Sequence, residues 1–327
     1  LEKLGQHRAQ TSAITGILST MSRDAIHIAC AADRNYVPHI ATLLQSLAIN
    51  HGGEGVTVHF LHDATVDAEQ LAKLRAQVET LGMQLVCHLP TEAQLAGLPI
   101  TERYPQVVWF RVLLPELLPD VERILYVDAD TLVLQSLLPL WQLDLTGMPL
   151  AAVQDVISPA HAHVPADIGL SSAEDYFNSG VLLMNLKEMR ASDFYGRMKA
   201  LDRKRFAAGF PDQIALNTVA EGKWLRLHPK WNCMTPFIEG TERFSDLQSH
   251  NVQQRLAGAS PCILHFEGYW QRAKPWQYRC DHPYQWLYLH YRNLTPWPLQ
   301  QLEGRNLKNI IVKQIPRSFL DFVARWR

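Results

Sequence analysis

The chain predicts an α/β fold built on a largely parallel sheet with nucleotide-binding character, and three observations carry that prediction. Apolar β-like runs alternate with amphipathic helical patterns in a βαβαβ order over residues 26 to 88. A further short run, Ile124 to Val127, is apolar with β-branched and aromatic members, as in a strand buried on both faces. Two carboxylates, Asp128 and Asp130, follow it directly, at the carboxyl end of the strand where open α/β sheets bind ligands.

In chain order, Ile26 to Cys30 reads as the first strand and Ala31-Ala32-Asp33-Arg34-Asn35-Tyr36 as a loop. Pro38 suits the first turn of a helix running to about Ile49, with Ile40, Leu43, Leu44 and Leu47 on one face. Val56 to Leu61 is a second strand. Asp67 and Gln70 have the spacing of a capping box for a helix carrying Leu71, Leu74, Val78 and Leu81. Gln84 to His88 is a third strand, and Pro105 to Leu118 predicts a helix with Arg111 in its middle, flanked by apolar residues on both sides.

Leu150 to Val153 and Val181 to Asn185 predict two more strands, the second introduced by Tyr176-Phe177-Asn178-Ser179-Gly180. Lys187 to Phe206 reads as one exposed helix of mixed charge. Phe210-Pro211-Asp212-Gln213 opens a short helix with Ile214, Leu216 and Val219 apolar. Cys262 to Phe266 is another buried strand, with His265 near its end. After Pro275 the character changes to Trp, Tyr and Pro, then to a basic and apolar stretch from Leu302 to Arg327.

At 327 residues, 47% hydrophobic and 19% charged, the chain can bury one large core or two moderate ones. Its net charge of −1 sets up no global field that would select nucleic acid. The five cysteines show no C-x-x-C spacing, which points to a reducing cytosol, with Cys30, Cys87 and Cys262 as buried thiols in strand-like runs. Thr131 to Leu143 is uncharged but too short to span a bilayer. The first twenty residues lack the pattern of a signal peptide, and Met21-Ser-Arg resembles a natural start. Residues 1–25 are therefore expected to be an extension without fixed structure.

In extended chain, residues two apart project to one side, so Asp128 and Asp130 are expected to point together while Ala129 turns away. Two anions held side by side repel each other and lose hydration, and a divalent cation removes both costs. Oxygen ligands of this kind suit Mn²⁺ or Mg²⁺. Taken alone, Asp-x-Asp is also compatible with a pair of turn-capping aspartates.

Together these motifs resemble glycosyltransferase family 8, retaining enzymes of the GT-A fold that include bacterial lipopolysaccharide galactosyl- and glucosyltransferases. The resemblance covers about residues 26 to 276 and lies in the ordered combination. It implies a GT-A nucleotide-sugar-binding fold, a Rossmann-like mixed sheet flanked by helices, over 26–276, with 277–327 as an aromatic and basic C-terminal appendage. By resemblance, Asp128, Asp130 and His265 hold the metal. Ala31, Asp33 and Asn35 contact the uridine, and Arg111 lies near the donor sugar. Ala129, Asn178, Ser179 and Gly268 join the donor contacts, and Asp212 and Gln213 sit at the sugar, with Gln213 beneath its anomeric carbon. Lys274, in Lys274-Pro275-Trp276, meets the diphosphate, although Glu267 to Ala273 carries about three residues more than the shorter family form.

The activity this resemblance implies is transfer of a hexose, galactose or glucose, from a UDP-sugar to a glycan or glycolipid acceptor. Because Gln213 is an amide and a poor nucleophile, attack of the acceptor from the leaving-group face is the expected route. Arg305, Lys308, Lys313, Arg317, Arg325 and Arg327 interleave with apolar residues, which predicts peripheral contact with an anionic membrane at its cytoplasmic face. Two alternatives stand beside this reading. Val127 to Thr131 also fits the nucleophile motif of haloacid-dehalogenase-like phosphatases, with Asp128 as nucleophile, and a binding protein without turnover would keep the same ligand types.

Overall fold

A computed structural model describes residues 25–98, 100, 104–202, 210–239, 257–267 and 273–315. In it β1 (Ile26–Ala32), α1 (Val37–Asn50), β2 (Val56–His62), α2 (Ala68–Thr80) and β3 (Gln84–His88) follow the βαβαβ order read from the periodicity. Pro38 stands in the first turn of α1, and Ile40, Leu43, Leu44 and Leu47 are buried along one face. Only half of the capping box forms at α2. Asp67 accepts from the Gln70 backbone N–H at 2.9 Å, while the Gln70 side chain donates instead to the Arg34 carbonyl. That bond ties α2 to the loop after β1.

The helix expected over 105–118 is instead a 3-10 stretch, Gln106–Leu113, running into one α-turn, Leu114–Leu117. Pro115 has no N–H with which to close an α-helical bond to the Arg111 carbonyl, which takes the Leu114 N–H instead. Then come β4 (Arg123–Val127), β5 (Thr131–Val133), β6 (Leu150–Gln154) and β7 (Phe177–Asn185). The single helix expected from 187 is two, α3 (Leu186–Ala191) and α4 (Phe194–Lys199). Between them the Ser192 hydroxyl donates back to the Glu188 carbonyl and Asp193 takes a left-handed backbone, φ 47°. Nor is the stretch merely exposed, because Leu186, Met189, Phe194 and Met198 are buried.

The chain continues through α5 (Pro211–Ala220), β8 (Leu225–Arg226), β9 (Cys233–Met234), β10 (Ile263–His265), α6 (Gln285–Asn293) and α7 (Leu307–Gln314). Seven strands form a sheet in the order β3-β2-β1-β4-β7-β6-β8, and β5-β10-β9 form a small second one. β1 pairs in parallel with β2 and β4, whereas β7 is antiparallel to both β4 and β6, so the sheet is mixed. Alternation along the strands separates two cores. Ile28, Cys30, Phe60, Leu125 and Val127 face α1 and α2, while Ala29, Ile124 and Tyr126 face Trp109, Phe110 and α5.

A third apolar cluster joins the second sheet to the C-terminal segment through Leu132, Leu264, Phe266, Trp276, Tyr288 and Tyr291. His39 of α1 stacks on Trp276 at 3.6 Å and hydrogen-bonds the Tyr288 hydroxyl at 2.6 Å, so α6 is fastened to α1. Residues 1–24, the stretches holding Phe206 and Gly268, and 316–327 lie outside the described residues. Among the described residues no helix is long and apolar enough to cross a membrane. Cys30 and Cys262 are buried, as their apolar runs imply, and Cys87 is half-buried.

Candidate active site

From β1 the chain builds outward to β2 and β3, and then returns to place β4 on the other flank of β1. This reversal opens a crevice at the carboxyl ends of β1 and β4. Asp128 and Asp130 stand there, but in the turn between β4 and β5 rather than in extended chain. Three hydrogen bonds hold the turn: Asp128 N–H to the Gly180 carbonyl, Phe266 N–H to the Asp130 carbonyl, and the Thr131 hydroxyl to the Asp128 carbonyl. The turn, not strand alternation, brings the two carboxylates together.

His265, the last residue of β10, closes the group. Its Nε2 is 3.4 Å from Asp130 Oδ1 and 4.0 Å from Asp128 Oδ2. One ligand atom from each of Asp128, Asp130 and His265 lies within 4.8 Å of the others. Two carboxylate oxygens and one imidazole nitrogen are a ligand set suited to a six-coordinate ion, whose bonds of about 2.1 Å span at most about 4.2 Å and would draw the three side chains slightly closer together. Lys274 Nζ lies on the other oxygen of Asp130 and also donates to the Phe266 carbonyl at 2.8 Å. Burial alone would raise the Asp130 carboxyl, but the Lys274 and His265 charges outweigh it and hold it far below the usual carboxylate range.

Arg111 is the hub on the other side. Its guanidinium pairs with Asp128 Oδ1 at 2.9 Å and with Asp212 Oδ2 at 3.3 Å, donates to the Ser179 carbonyl at 2.7 Å, and stacks over Tyr126. The Tyr126 hydroxyl donates to the same Asp128 oxygen at 3.0 Å. Burial pushes the Asp212 carboxyl up, with the Arg111 charge opposing.

Beyond Arg111 lies a polar cluster. The Ser179 N–H donates to Gln213 Oε1 at 2.9 Å, and Gln213 Nε2 donates to Asp155 Oδ2 at 3.0 Å. Asn178 Nδ2 reaches the other Asp155 oxygen at 3.2 Å. Both polar ends of Gln213 are thus held, which suits an orienting role better than nucleophilic attack. Gly180 has a steric reason to be glycine, since a Cβ there would stand 2.3 Å from His265 Cε1 and 2.9 Å from Asp128 Oδ2.

One network therefore unites Arg111, Asp128, Asp130, Asn178, Ser179, Asp212, Gln213, His265 and Lys274. Asp33 stands apart at the end of β1, where its carboxylate caps its own loop through the N–H groups of Asn35 and Tyr36. Ala31 flanks the same crevice, Ala129 is buried in the turn, and Gly268 lies outside the described residues. Four residues bonded to this network escape sequence reasoning: Tyr126, Asp155, Tyr176, whose hydroxyl lies 3.3 Å from Gln213 Nε2, and Asn232, whose side-chain oxygen lies 2.8 Å from His265 Nδ1. Asp155 carried a usable signal, because it follows the β6 strand just as Asp128 follows β4. Close to His265 in sequence, Glu267 has its carboxyl pushed up to about 7 by burial and accepts from the Thr235 N–H at 3.0 Å.

A mixed sheet flanked by helices, with an Asp-Asp-His group at its switch point, is a GT-A-like fold, and comparison with known proteins agrees. The family model "Glycosyl transferase family 8" matches residues 27–280. General stress protein A of Bacillus subtilis (strain 168) is 27% identical over 284 residues, covering 85% of this chain and 96% of that protein. Lipopolysaccharide 1,2-glucosyltransferase of Escherichia coli (strain K12) is 24% identical, covering 88% of this chain and 83% of that protein. The galactosyltransferase LgtC, solved with donor and acceptor sugar analogues, superposes with a TM-score of 0.67 at 24% identity, covering 83% and 96% of the two chains. The chain belongs to glycosyltransferase family 8 and is a glycosyltransferase. The phosphatase alternative falls with that finding, and Asp128 is clamped by Arg111 and Tyr126 rather than free for attack.

Proposed function

We propose that the protein transfers glucose or galactose from a UDP-sugar to a glycan acceptor of the lipopolysaccharide type, with retention of configuration and dependence on Mn²⁺ or Mg²⁺. The observation that carries this reading is the Asp128, Asp130 and His265 group beside Lys274, cationic and acidic partners gathered at the crevice. When bound there, a divalent cation supplies positive charge to a departing diphosphate without proton transfer. Lys274 adds a point charge on the same side. Arg111 pairs with Asp128 and Asp212 and orients both carboxylates, and Gln213, anchored at both ends, lines the sugar site with Asp155 and Asn178. Asp33 and Asn35 face the base and ribose in this reading, while the acceptor hydroxyl enters from the leaving-group face.

The lipopolysaccharide-type acceptor takes support from the glucosyltransferase among the relatives. It also agrees with α7, which buries none of its residues and leaves Leu307 74% and Ile311 56% exposed beside Lys308 and Lys313. Such a face suits reversible contact with an anionic membrane, each basic residue contributing about 1 kcal/mol. Truncation after Gln300 should remove salt-sensitive sedimentation with anionic liposomes and keep donor hydrolysis.

The deciding experiment is a panel of UDP-sugars scored for acceptor-free release of sugar, with Mn²⁺ or with chelator. UDP-glucose or UDP-galactose is expected to turn over only with the metal, and Asp130→Ala is expected to abolish the release. Undiminished turnover in chelator sinks the reading.

A further inference from the structure

The buried amide of Asn232 stands between the proposed cation site and the polar cluster of Asn178, Asp155 and Gln213, and the motifs of the sequence give it no role. It ends the 3-10 stretch Pro229–Asn232 and is fully buried. That stretch is fastened beside β10 by the Cys262 N–H, which donates to the Lys230 carbonyl at 2.8 Å.

The direction of every bond around it can be worked out from one backbone donor. The Gly180 N–H lies 3.0 Å from the Asn178 side-chain oxygen, and a backbone N–H can only donate, so Oδ1 is the acceptor there. Asn232 approaches that same oxygen at 2.8 Å and must therefore present its amide Nδ2. Its own oxygen then faces His265 Nδ1 at 2.8 Å, so this nitrogen of His265 carries the proton. A neutral ring with the proton on Nδ1 keeps a lone pair on Nε2, the atom turned toward Asp130 and Asp128. The chain also runs the other way, because Asn178 Nδ2 donates to Asp155, whose other oxygen accepts from Gln213.

We propose that Asn232 is a positioning residue that fixes the metal-binding tautomer of His265 and, through Asn178, ties the cation site to the donor-sugar pocket. The inference rests on the metal reading given above. Its two hydrogen bonds have separable jobs: the carbonyl serves His265, and the NH₂ group serves Asn178.

Two substitutions separate them. Asn232→Leu keeps the volume and removes both bonds, so Mn²⁺ affinity, read by electron paramagnetic resonance with UDP present, should weaken about 10–100-fold, the usual cost of losing such a partner. Asn232→Asp still accepts from His265 but cannot donate to Asn178 as a carboxylate. It should hold Mn²⁺ within about threefold of wild type while kcat for donor hydrolysis falls by about tenfold or more. A merely structural asparagine would not give that split. Circular dichroism checks folding, and if the Leu variant fails to fold, the split in the Asp variant decides alone. A folded Asn232→Leu that binds Mn²⁺ like wild type, or an Asp variant that loses metal and turnover equally, overturns the proposal. Wild-type protein that binds no Mn²⁺ overturns the metal reading as well, so the two failures are told apart.

Discussion

Gly180→Ala is the most economical perturbation of the site, because it adds one methyl group and no charge. Gly180 lies on β7, directly behind His265 and Asp128, and its N–H and carbonyl bond to Asn178 and Asp128. The added Cβ would stand 2.3 Å from His265 Cε1, 2.9 Å from His265 Nδ1 and 2.9 Å from Asp128 Oδ2. An ordinary contact needs about 3.4 Å or more, so the imidazole must retreat by about 1 Å. His265 is 3% exposed and its Nδ1 is held by Asn232, so any retreat of the ring strains that bond. Overpacking of this kind costs about 1–3 kcal/mol of stability, and a misplacement of about 1 Å at a reacting centre costs about 100-fold in rate. The assay is kcat/KM for UDP-sugar hydrolysis alongside a Mn²⁺ titration and a thermal melt. A variant with wild-type turnover and wild-type Mn²⁺ affinity would refute the close packing of Gly180 on His265.

Other substitutions probe the charges. Arg111→Met should destabilise the fold by about 3–5 kcal/mol and abolish turnover, because it leaves Asp128 and Asp212 without their buried cation; denaturant unfolding measures it, and an unchanged midpoint contradicts it. Away from the site, His27, His59 and His88 form a ladder across β1, β2 and β3 with N···N distances of 2.9 and 3.1 Å. Burial, helped by the His27 and His88 charges, lowers His59 from 6.5 to about 4. Between those values the unfolded chain takes up a proton that the folded chain refuses, so stability is full above 6.5 and falls as pH drops toward 4, by on the order of 2 kcal/mol after solvent screening. His59→Gln should flatten that part of a melting-temperature profile, and an unaltered profile removes the ladder from the account. For the reaction itself, an α-linked donor should give an α-linked product by NMR, and a β-linkage would overturn the retaining route.

Much of this site was legible because its ligand-type residues sit where strands end. Asp128, Asp130 and His265 are the residue types a hard cation needs, and Asn178, Asp212 and Gln213 fall in short motifs with recognisable neighbours. Their partners were not legible, for a physical reason: Asn232 matters only because β10 and β7 bring His265 and Asn178 to its two ends, 33 and 54 residues away in sequence. Tyr126 likewise looks like one more apolar strand residue until Arg111 is stacked upon it. Local backbone chemistry accounts for the differences in the elements. Periodicity over 105–118 and 187–206 predicts helices, but Pro115 lacks a donor and Ser192 and Asp193 interrupt the ladder. The Asp-x-Asp pair follows the same lesson, since alternation in a strand predicts a shared face that the turn after β4 supplies instead.

In the proposed function Asp128, Asp130 and His265 hold the cation on which sugar transfer depends. Crystals grown with Mn²⁺ and UDP and measured at the manganese absorption edge test it without reference to rate. The expected result is one anomalous peak bonded to Asp128, Asp130 and His265 Nε2 at about 2.0–2.4 Å, with UDP in the crevice between β1 and β4. Bound UDP with no manganese at these three side chains, or manganese held by other residues, would contradict it.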